Sequence, residues 1–380
     1  MPMSIKDRCA IVGLGYTAQG KIPGRSAMSF YLEASRDALN DAGLRPRDID
    51  GLLIQPCPTD PRVSAFSLAQ EIGMELRFGA DQQVQGASAC AIVQHAAMAV
   101  DAGLCDCCLC AFADTSRSAP GDMGIIYQRA WGADAAYGLF GVAANYAMIA
   151  RRYMHEYGIT SRQFGEVAVT FRRHASLNPR AQMRQTITID NHQASRWVAE
   201  PLHLLDCCLV SDGGRALIVT SAEHARNLKK PPVYVMGMGQ GHPFADPLRR
   251  RVMTVTGAVA SGKTAFAMAG ITPREIDVCA IYDAFSFVVP LQLEDLGFCR
   301  KGEGGAFIGG GRIGMGGELP TNTSGGLLSE VYLQGWVGTH EMVSQLRGEC
   351  GERQVSGAET GLVTSSGGVL SEHATLILRR

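Results

Sequence analysis

Short apolar runs alternate with longer segments of helical spacing along most of the chain. The runs at residues 9–15 (CAIVGLG), 216–221 (ALIVTS), 232–239 (PVYVMGMG) and 373–380 (HATLILRR) have the length and turn-forming boundaries of buried strands. Residues 29–43 (SFYLEASRDALNDAG) have the length of a helix and end in glycine, a common helix stop. Strands that alternate with helices predict an α/β fold of buried, parallel-type sheets with helices on their faces.

Part of this pattern occurs twice, at a constant offset of 227 residues. Residues 38–50 (ALNDAGLRPRDID) and 265–277 (AFAMAGITPREID) share alanine, glycine, proline, isoleucine and aspartate at matching positions. Each copy predicts a helix, a glycine at its C-terminal end, a turn with proline, and then an apolar strand (GLLIQP or VCAIYDAF). A repeat this long predicts two similar α/β halves, which we place at residues 1–228 and 229–380.

The segment from about 113 to 204 departs from the alternation of strands and helices. It contains Trp131, Trp197 and a basic run at residues 171–184 (FRRHASLNPRAQMR). We interpret it as a loop or cap subdomain inserted into the N-terminal half.

Charge and apolar content exclude several classes of protein. With 35 basic and 36 acidic side chains, the chain lacks the positive charge that nucleic-acid binding requires. No uninterrupted apolar run approaches the roughly 18 residues of a membrane span. The N-terminus has charges before a short apolar strand rather than a signal-peptide core, so we expect a cytoplasmic protein.

The twelve cysteines raise the question of a disulfide scaffold or a metal site. A chain of this length does not need disulfides to fold, and buried thiols behave as small apolar groups. Cys105, Cys107, Cys108 and Cys110 lie in one predicted strand, where alternate residues point to opposite faces. They are therefore not expected to converge on one ion.

Residues 257–264 (GAVASGKT) match the phosphate-loop pattern of nucleotide-binding proteins. The strand at residues 278–283 (VCAIYD) even ends in the aspartate that commonly accompanies that loop. The repeat favours a different interpretation, because the equivalent helix of the first copy has no glycine loop. We therefore predict that Gly262–Thr264 begins an ordinary helix.

Three turns rich in glycine and serine are candidates for chemistry, at residues 85–89 (QGASA), 322–326 (NTSGG) and 364–368 (TSSGG). Backbone N–H groups in such turns stabilise a developing oxyanion, although glycine also allows strand and helix to pack closely. The candidate substrate-binding residues are Gly86, Ser88, Asn322, Gly325, Ser366 and Gly367.

Several longer segments resemble the thiolase superfamily, in the branch similar to sterol-carrier-protein thiolases. They are AIVGLGYT, PLHLLDCCLVSDGGRALIV (201–219), IYDAFSF (281–287), LPTNTSGGLLSE (319–330) and QLRGE (345–349). The resemblance covers nearly the whole chain, and the segments occur in the family's order. It implies the thiolase fold, a duplicated five-layered αβαβα core with the inserted cap.

The catalytic positions of a thiolase are replaced. Gly86 stands where the family has its nucleophilic cysteine, and Cys90 falls one helical turn further on. Residues 331–333 (VYL) replace a Gly-His-Pro motif, and residues 364–366 (TSS) replace a second cysteine. Tyr282 replaces the asparagine or histidine that opens a fourth motif.

These replacements change the chemistry that the site predicts. A Claisen condensation through an acyl-enzyme needs an activated thiolate, which is missing at the required positions. Retro-aldol cleavage of a β-hydroxyacyl-CoA instead needs a base, an acid and an oxyanion hole. Tyr282 and Tyr332 are our candidates for the two proton transfers. An unperturbed tyrosine titrates near ~10, so the base requires a neighbour that lowers its pKa. We interpret Asp283, beside Tyr282, as a structural residue at the strand end.

The tyrosine pair resembles that of the thiolase-like steroid aldolases of bacterial side-chain degradation. This resemblance implies cleavage of a 17-hydroxy steroid side-chain CoA thioester to a 17-keto steroid and propionyl-CoA. It also implies a homodimeric core that forms an α2β2 complex with a small OB-fold protein carrying a zinc ribbon. Zinc is expected in that partner only, with no cofactor in this chain.

Some alternatives remain open. Arg172, Arg173, Arg180 and Arg184 are candidates for the CoA phosphates, or they form a solvated basic loop. The chain is alternatively a condensing or acyl-transferring enzyme that uses Cys90 or a serine. It is otherwise a non-catalytic scaffold in which both tyrosines only pack.

Overall fold

A computed structural model describes residues 5–119, 136–139, 141–243 and 250–380 of the chain. The strands are β1 (Cys9–Tyr16), β2 (Gly51–Gln55), β3 (Phe78–Asp81), β4 (Cys107–Thr115), β5 (Trp197–Ala199), β6 (Leu202–His203), β7 (Asp212–Ser221), β8 (Val233–Gly241), β9 (Val278–Ala280), β10 (Thr360–Gly367) and β11 (Glu372–Arg379). The helices are α1 (Ala27–Ala42), α2 (Ala65–Ile72), α3 (Ser88–Asp101), α4 (Gly141–Tyr157), α5 (Ser161–Ser176), α6 (Ile189–Ala194), α7 (Ala222–Ala225), α8 (Ala258–Ala269), α9 (Val288–Asp295), α10 (Gly304–Phe307), α11 (Gly326–Ser329) and α12 (Trp336–Arg347).

Nine strands form one sheet in the order β3-β2-β4-β7-β1-β8-β11-β10-β9. The two halves of this sheet are joined where Ala10 and Ile11 of β1 pair with Tyr234 and Val233 of β8. The prediction of parallel-type sheets is wrong for most of the strand pairs. Five of the eight strand pairings are antiparallel. β10 and β11, for example, form a hairpin whose short turn permits only antiparallel pairing.

Three hydrophobic clusters fill the spaces between five layers of secondary structure, and the central cluster lies on both sides of the middle layer. One cluster lies under α1 and α2, on the outer face of the N-terminal half of the sheet. A central cluster surrounds α3 and α12 and contains apolar residues from both halves of the sheet. A third cluster lies under α8, on the outer face of the C-terminal half. The predicted αβαβα core is therefore confirmed, while the division of the chain at residues 228 and 229 stays a prediction.

The sequence repeat corresponds to a structural repeat. Gly43 after α1 and Gly270 after α8 both adopt the left-handed conformation, with φ of 74° and 70°. A short 3-10 turn with proline follows each glycine and leads into β2 or β9. Each of the repeated aspartates holds the beginning of another strand. Asp50 accepts a hydrogen bond from the N–H of the first residue of β4, and Asp277 accepts one from the first residue of β10, each at 2.9 Å.

The segment that matches the phosphate-loop pattern is helical. α8 begins at Ala258, four residues before the start that we predicted, so Lys263 lies exposed on the helix rather than in a loop. Gly262 allows close packing, since a Cβ on it would lie 2.8 Å from a methyl carbon of Leu296. The glycines of this segment thus serve helix packing.

The segment that we predicted as a cap begins inside β4. Its described remainder forms α4, α5, α6 and the β5–β6 hairpin, in which Trp197 stacks on His203 at 3.6 Å between ring centroids. Trp131 lies outside the described residues. The interpretation of this segment as an insertion into the N-terminal half stays a prediction.

All twelve cysteines are free thiols. Cys108 and Cys110 face the central cluster whereas Cys107 faces the outer one, as expected for alternating residues of a strand. In the described ranges, no group of three or more histidine, cysteine, aspartate or glutamate side chains is placed to hold a metal ion. No helix in that part of the chain has the length and apolar character that a membrane span requires.

Candidate active site

Tyr282 lies just beyond the end of β9, where the chain leaves the sheet. The observed strand is shorter than the predicted one, so the Tyr282 side chain lies at the end of the sheet instead of within it. The Tyr282 N–H donates to the Thr364 hydroxyl at 3.1 Å, and its carbonyl accepts from the Gln292 amide at 3.3 Å. Thr364 donates in turn to Gln292 at 2.7 Å, so the backbone of Tyr282 is held from two sides.

Tyr332 lies on the segment between α11 and α12. Its N–H donates to the Ser211 hydroxyl at 3.1 Å, and Ser211 also accepts from the Gln182 amide at 2.7 Å. The N–H of Gln182 donates to the carbonyl of Glu330, two residues before Tyr332. Two other segments therefore fix the backbone that carries this tyrosine.

The structure brings the two predicted catalytic residues together. The hydroxyl oxygens of Tyr282 and Tyr332 are 3.4 Å apart, and either is able to donate to the other. This separation exceeds the usual O–H···O distance of about 2.7–2.8 Å.

Gly86 lies directly against the Tyr282 hydroxyl. A Cβ at this position would lie 2.5 Å from that oxygen and 2.0 Å from the carbonyl oxygen of Ser366. The Ser366 carbonyl and the Tyr282 hydroxyl therefore both require glycine at residue 86, where the resemblance places the cysteine of a thiolase. The phenol occupies space that a cysteine side chain would need.

Two of the three predicted glycine-rich turns meet at Gly86. A Cβ on Gly367 would lie 2.6 Å from the Gly86 backbone nitrogen, so the two turns are in direct contact. The N–H of Gly368 donates to the Gln85 side-chain carbonyl at 3.0 Å and ties the turns together. Ser366 hydrogen-bonds through its hydroxyl with the His373 ring at 3.1 Å. Burial lowers the pKa of His373 to about 3, which keeps the ring neutral.

Three other predicted substrate-binding residues support the frame of the site. The Asn322 amide accepts from the Ile281 N–H at 2.7 Å and donates to its carbonyl at 2.8 Å. Gly325 allows close contact with α5, because a Cβ would lie 2.6 Å from the Ala175 methyl. Ser88 is buried and hydrogen-bonds with the backbone of Val84 and Gln85. Substrate contact by these residues stays a prediction.

Asp283 is a structural residue, as predicted. Its carboxylate accepts from the N–H groups of Leu327 at 2.9 Å and Leu328 at 3.2 Å, so it holds α11 against the end of β9. Burial raises the pKa of Asp283 to about 7, although these hydrogen bonds oppose the rise.

Replacing Asp283 by asparagine tests this assignment. The folded-state pKa exceeds that of an unfolded aspartate, about 3.9, so the folded protein retains a proton between these values that the unfolded chain releases. The contribution of protonated Asp283 to the free energy of unfolding is therefore fully present below about pH 4 and is lost as the pH rises through 7. Asp283→Asn cannot ionise and is expected to lose less stability than the wild type between about pH 5 and about pH 8. Thermal melts of both proteins across this range provide the measurement, and parallel curves would contradict the raised pKa.

Cys90 is unsuited to nucleophilic catalysis. It lies in the first turn of α3 and is fully buried. Burial raises the pKa of its thiol to about 12, so the thiolate is scarce at neutral pH. The alternative of an acyl transfer through this residue lacks an activated nucleophile.

The candidate CoA-binding arginines have different surroundings. Arg172 is partly buried in α5 and donates to the Ser329 hydroxyl at 3.0 Å. Arg173 is exposed on the same helix. Arg180 is exposed and places its guanidinium over the Tyr16 ring, 3.8 Å from the centroid, and Arg184 is exposed in the following segment. Contacts of these residues with CoA stay a prediction.

Sequence reasoning missed several residues that hold the site, among them Gln55, Ser211 and Gln292. Gln55 had a detectable signal, because it precedes Tyr282 by the 227 residues of the repeat. Ser211 and Gln292 had none, since only the fold brings them to the backbone of the tyrosines.

Comparison with known proteins places this geometry in a family. A family profile described as "Thiolase C-terminal domain-like" matches residues 239–380. The steroid side-chain-cleaving aldolase of Thermomonospora curvata is 41% identical, over 95% of this chain and 95% of that protein. The chain belongs to the thiolase superfamily. Within this superfamily, a second relative is the 17-hydroxy-3-oxo-4-pregnene-20-carboxyl-CoA lyase of Mycobacterium tuberculosis, 42% identical over 96% of this chain and 98% of the relative.

A solved structure supports the same branch of the thiolase superfamily. The "Ltp2-ChsH2(DUF35) aldolase" aligns with a TM-score of 0.91 and 40% identity, over 99% of both chains. The fold and the resemblance to steroid side-chain aldolases that we predicted from the sequence are confirmed. That the tyrosine pair and Gly86 replace the sulfur-based site of a thiolase stays a prediction.

Proposed function

We propose that the chain catalyses retro-aldol cleavage of a β-hydroxyacyl-CoA, with a 17-hydroxy steroid side-chain thioester as substrate. The observation that carries the proposal is the contact of the Tyr282 and Tyr332 hydroxyls over Gly86, where a thiolase nucleophile has no room. Two relatives that resemble the chain over nearly its full length, at 41% and 42% identity, are named as a steroid side-chain-cleaving aldolase and a lyase of such a thioester. The products are a 17-keto steroid and propionyl-CoA.

The reaction needs one proton to leave the substrate hydroxyl and one to reach the α-carbon. One tyrosine, as phenolate, takes the proton of the β-hydroxyl, and the new carbonyl forms as the bond between the α- and β-carbons breaks. The electron pair of that bond enters the thioester as an enolate. The other tyrosine, as phenol, protonates the α-carbon. Because the two hydroxyls adjoin each other, a proton passed between them restores both groups for the next turnover.

The enolate oxygen needs hydrogen-bond donors that are already in place. The turns at residues 85–89 and 364–368 meet beside Tyr282. We assign this role to their backbone N–H groups other than those of Ala87, Ser88 and Gly368, which already donate to neighbouring carbonyl oxygens. Preorganised donors of this kind stabilise a developing oxyanion without reorganisation during the reaction. No metal or cofactor of this chain takes part in the proposed steps.

We further propose that the active assembly contains two copies of this chain and two of a small OB-fold protein with a zinc ribbon, which supplies the only zinc. The support is the solved aldolase to which the chain is similar, whose designation names a second component, ChsH2(DUF35). The resemblance to the steroid aldolases also supports a homodimeric core. We also propose a cytoplasmic location, as the sequence analysis expects.

The test is to incubate the chain, alone and with a DUF35-type partner, with 17-hydroxy-3-oxo-4-pregnene-20-carboxyl-CoA. We expect equal amounts of propionyl-CoA and 17-keto steroid by mass spectrometry, and an unmodified protein mass during turnover. An acyl adduct on the protein, or a lack of cleavage with the partner present, would contradict the proposal. The arm without partner shows whether this chain suffices for the chemistry.

A further inference from the structure

The structural repeat places a second side chain in the position equivalent to that of Tyr282. Gln55 is the last residue of β2, and Tyr282 lies shortly after the end of β9. The two residues are 227 positions apart, which is the offset of the repeat. The turns that these residues meet are also alike, because Gln85-Gly86 precedes α3 and Gln334-Gly335 precedes α12. Each strand end contacts the turn of the opposite half. Tyr282 lies against Gly86, and Gln55 contacts Gln334.

The Gln55 amide is buried, and three hydrogen bonds engage it. Its NH2 group donates to the side-chain carbonyl of Gln334 at 2.6 Å and to the backbone carbonyl of Gln85 at 3.1 Å. Its own side-chain carbonyl accepts from the Trp336 indole at 2.8 Å. A buried amide with these partners is costly to disturb, because each partner would lose its hydrogen bond at a buried position.

Both turns that Gln55 joins have strained backbone. Gln85 has φ of 46° and Gln334 has φ of 51°, values that residues with a side chain seldom adopt. Such conformations persist where the surrounding contacts enforce them. Gln85 adjoins Gly86, which the Tyr282 hydroxyl contacts, and Gln334 follows Tyr332 by two residues. The amide therefore links the backbone of Gln85 to the side chain of Gln334, and so joins two turns that adjoin the two tyrosines.

We infer that Gln55 is a positioning residue that fixes the separation of the Tyr282 and Tyr332 hydroxyls, through its hydrogen bonds to the two turns. It touches neither hydroxyl in the contacts described and takes no part in proton transfer. The effect of Gln55 on the rate of cleavage rests on the proposed function, whereas its effect on the geometry of the tyrosine pair does not. Loss of the amide leaves the fold in place and loosens the geometry of the pair.

The substitution Gln55→Met keeps the volume and removes all three hydrogen bonds. We expect kcat for thioester cleavage to fall by about 10- to 100-fold, with KM within about twofold, because small displacements of reacting groups cost this much. The second readout needs no substrate. In protein labelled at the tyrosine ring carbon that bears the hydroxyl, the signals of Tyr282 and Tyr332 are expected to move. Tyr282→Phe and Tyr332→Phe identify these signals among the ten tyrosines.

Tyr31→Phe is the matched control. The Tyr31 hydroxyl donates to the backbone carbonyl of the same Gln55, so its loss perturbs this residue without removing the amide contacts. It is expected to leave kcat and both signals unchanged. Gln334→Met removes the partner from the other side and is expected to reproduce the effects of Gln55→Met, which keeps the test decisive if that variant folds poorly.

The outcomes separate the two proposals. If both tyrosine signals stay in place in Gln55→Met and in Gln334→Met, the positioning role is overturned, whatever the activity. If the signals move but the wild type cleaves no thioester, the positioning role stands and the proposed function fails.

Discussion

Phenylalanine at residue 282 or at residue 332 is expected to lower kcat for thioester cleavage by about 10²- to 10⁴-fold, the usual contribution of a positioned acid or base. Each change deletes one hydroxyl of a pair whose oxygens lie 3.4 Å apart and leaves the ring that fills the site. The backbone of each tyrosine is held by hydroxyl or amide side chains that these changes retain. Thermal stability should therefore remain close to that of the wild type.

The double variant gives a sharper result. Because both hydroxyls act in one proton relay, removing the second should add little to the loss caused by removing the first. Initial rates of propionyl-CoA release at saturating substrate measure all three variants. Tyr234→Phe, on β8 and outside the site, is the control and should retain wild-type activity. Activity that persists in both single variants would overturn the assignment of the pair.

Restoring a cysteine at residue 86 is expected to abolish cleavage and still not produce a thiolase. The new Cβ would lie 2.0 Å from a carbonyl oxygen and 2.5 Å from the Tyr282 hydroxyl, distances at which something must shift. Overpacking of this kind costs about 1–3 kcal/mol of stability, and here it displaces the reacting phenol. Gly86→Ala should act in the same way, since the Cβ alone creates the clash.

The measurement combines activity with intact protein mass in the presence of acyl-CoA. We expect loss of activity by at least about 100-fold in both variants, as for displaced catalytic groups, and no acyl adduct on Gly86→Cys. Gly309→Ala serves as the control because its added Cβ would meet no atom closer than 3.3 Å. An acylated cysteine that transfers its acyl group would show that the site still supports thiolase chemistry, contrary to our interpretation.

The sequence was sufficient where local rules and the resemblance agree. The paired glycines at residues 43 and 270 predicted two helix ends, and both occur because the left-handed conformation suits glycine. The tyrosine pair was predicted from replaced motifs, and its contact depends on a fold that the resemblance identified. Which strands pair was beyond local reasoning, since β1 meets β8 through contacts distant in sequence.

The uses of individual polar side chains were the least predictable. Substrate contact by Asn322 stays a prediction, and the hydrogen bonds of its amide to the backbone of Ile281 were not foreseen. The repeat spacing pointed to the position of Gln55 but not to its hydrogen-bond partners, which lie on two turns some 250 residues apart in sequence. Partners of this kind follow from tertiary structure.

The crowding at Gly86 has a consequence for how this site tolerates change. In the present geometry a side chain at residue 86 and the phenol of residue 282 exclude each other. A substitution at residue 86 alone is therefore harmful, and the two positions are expected to vary together rather than independently.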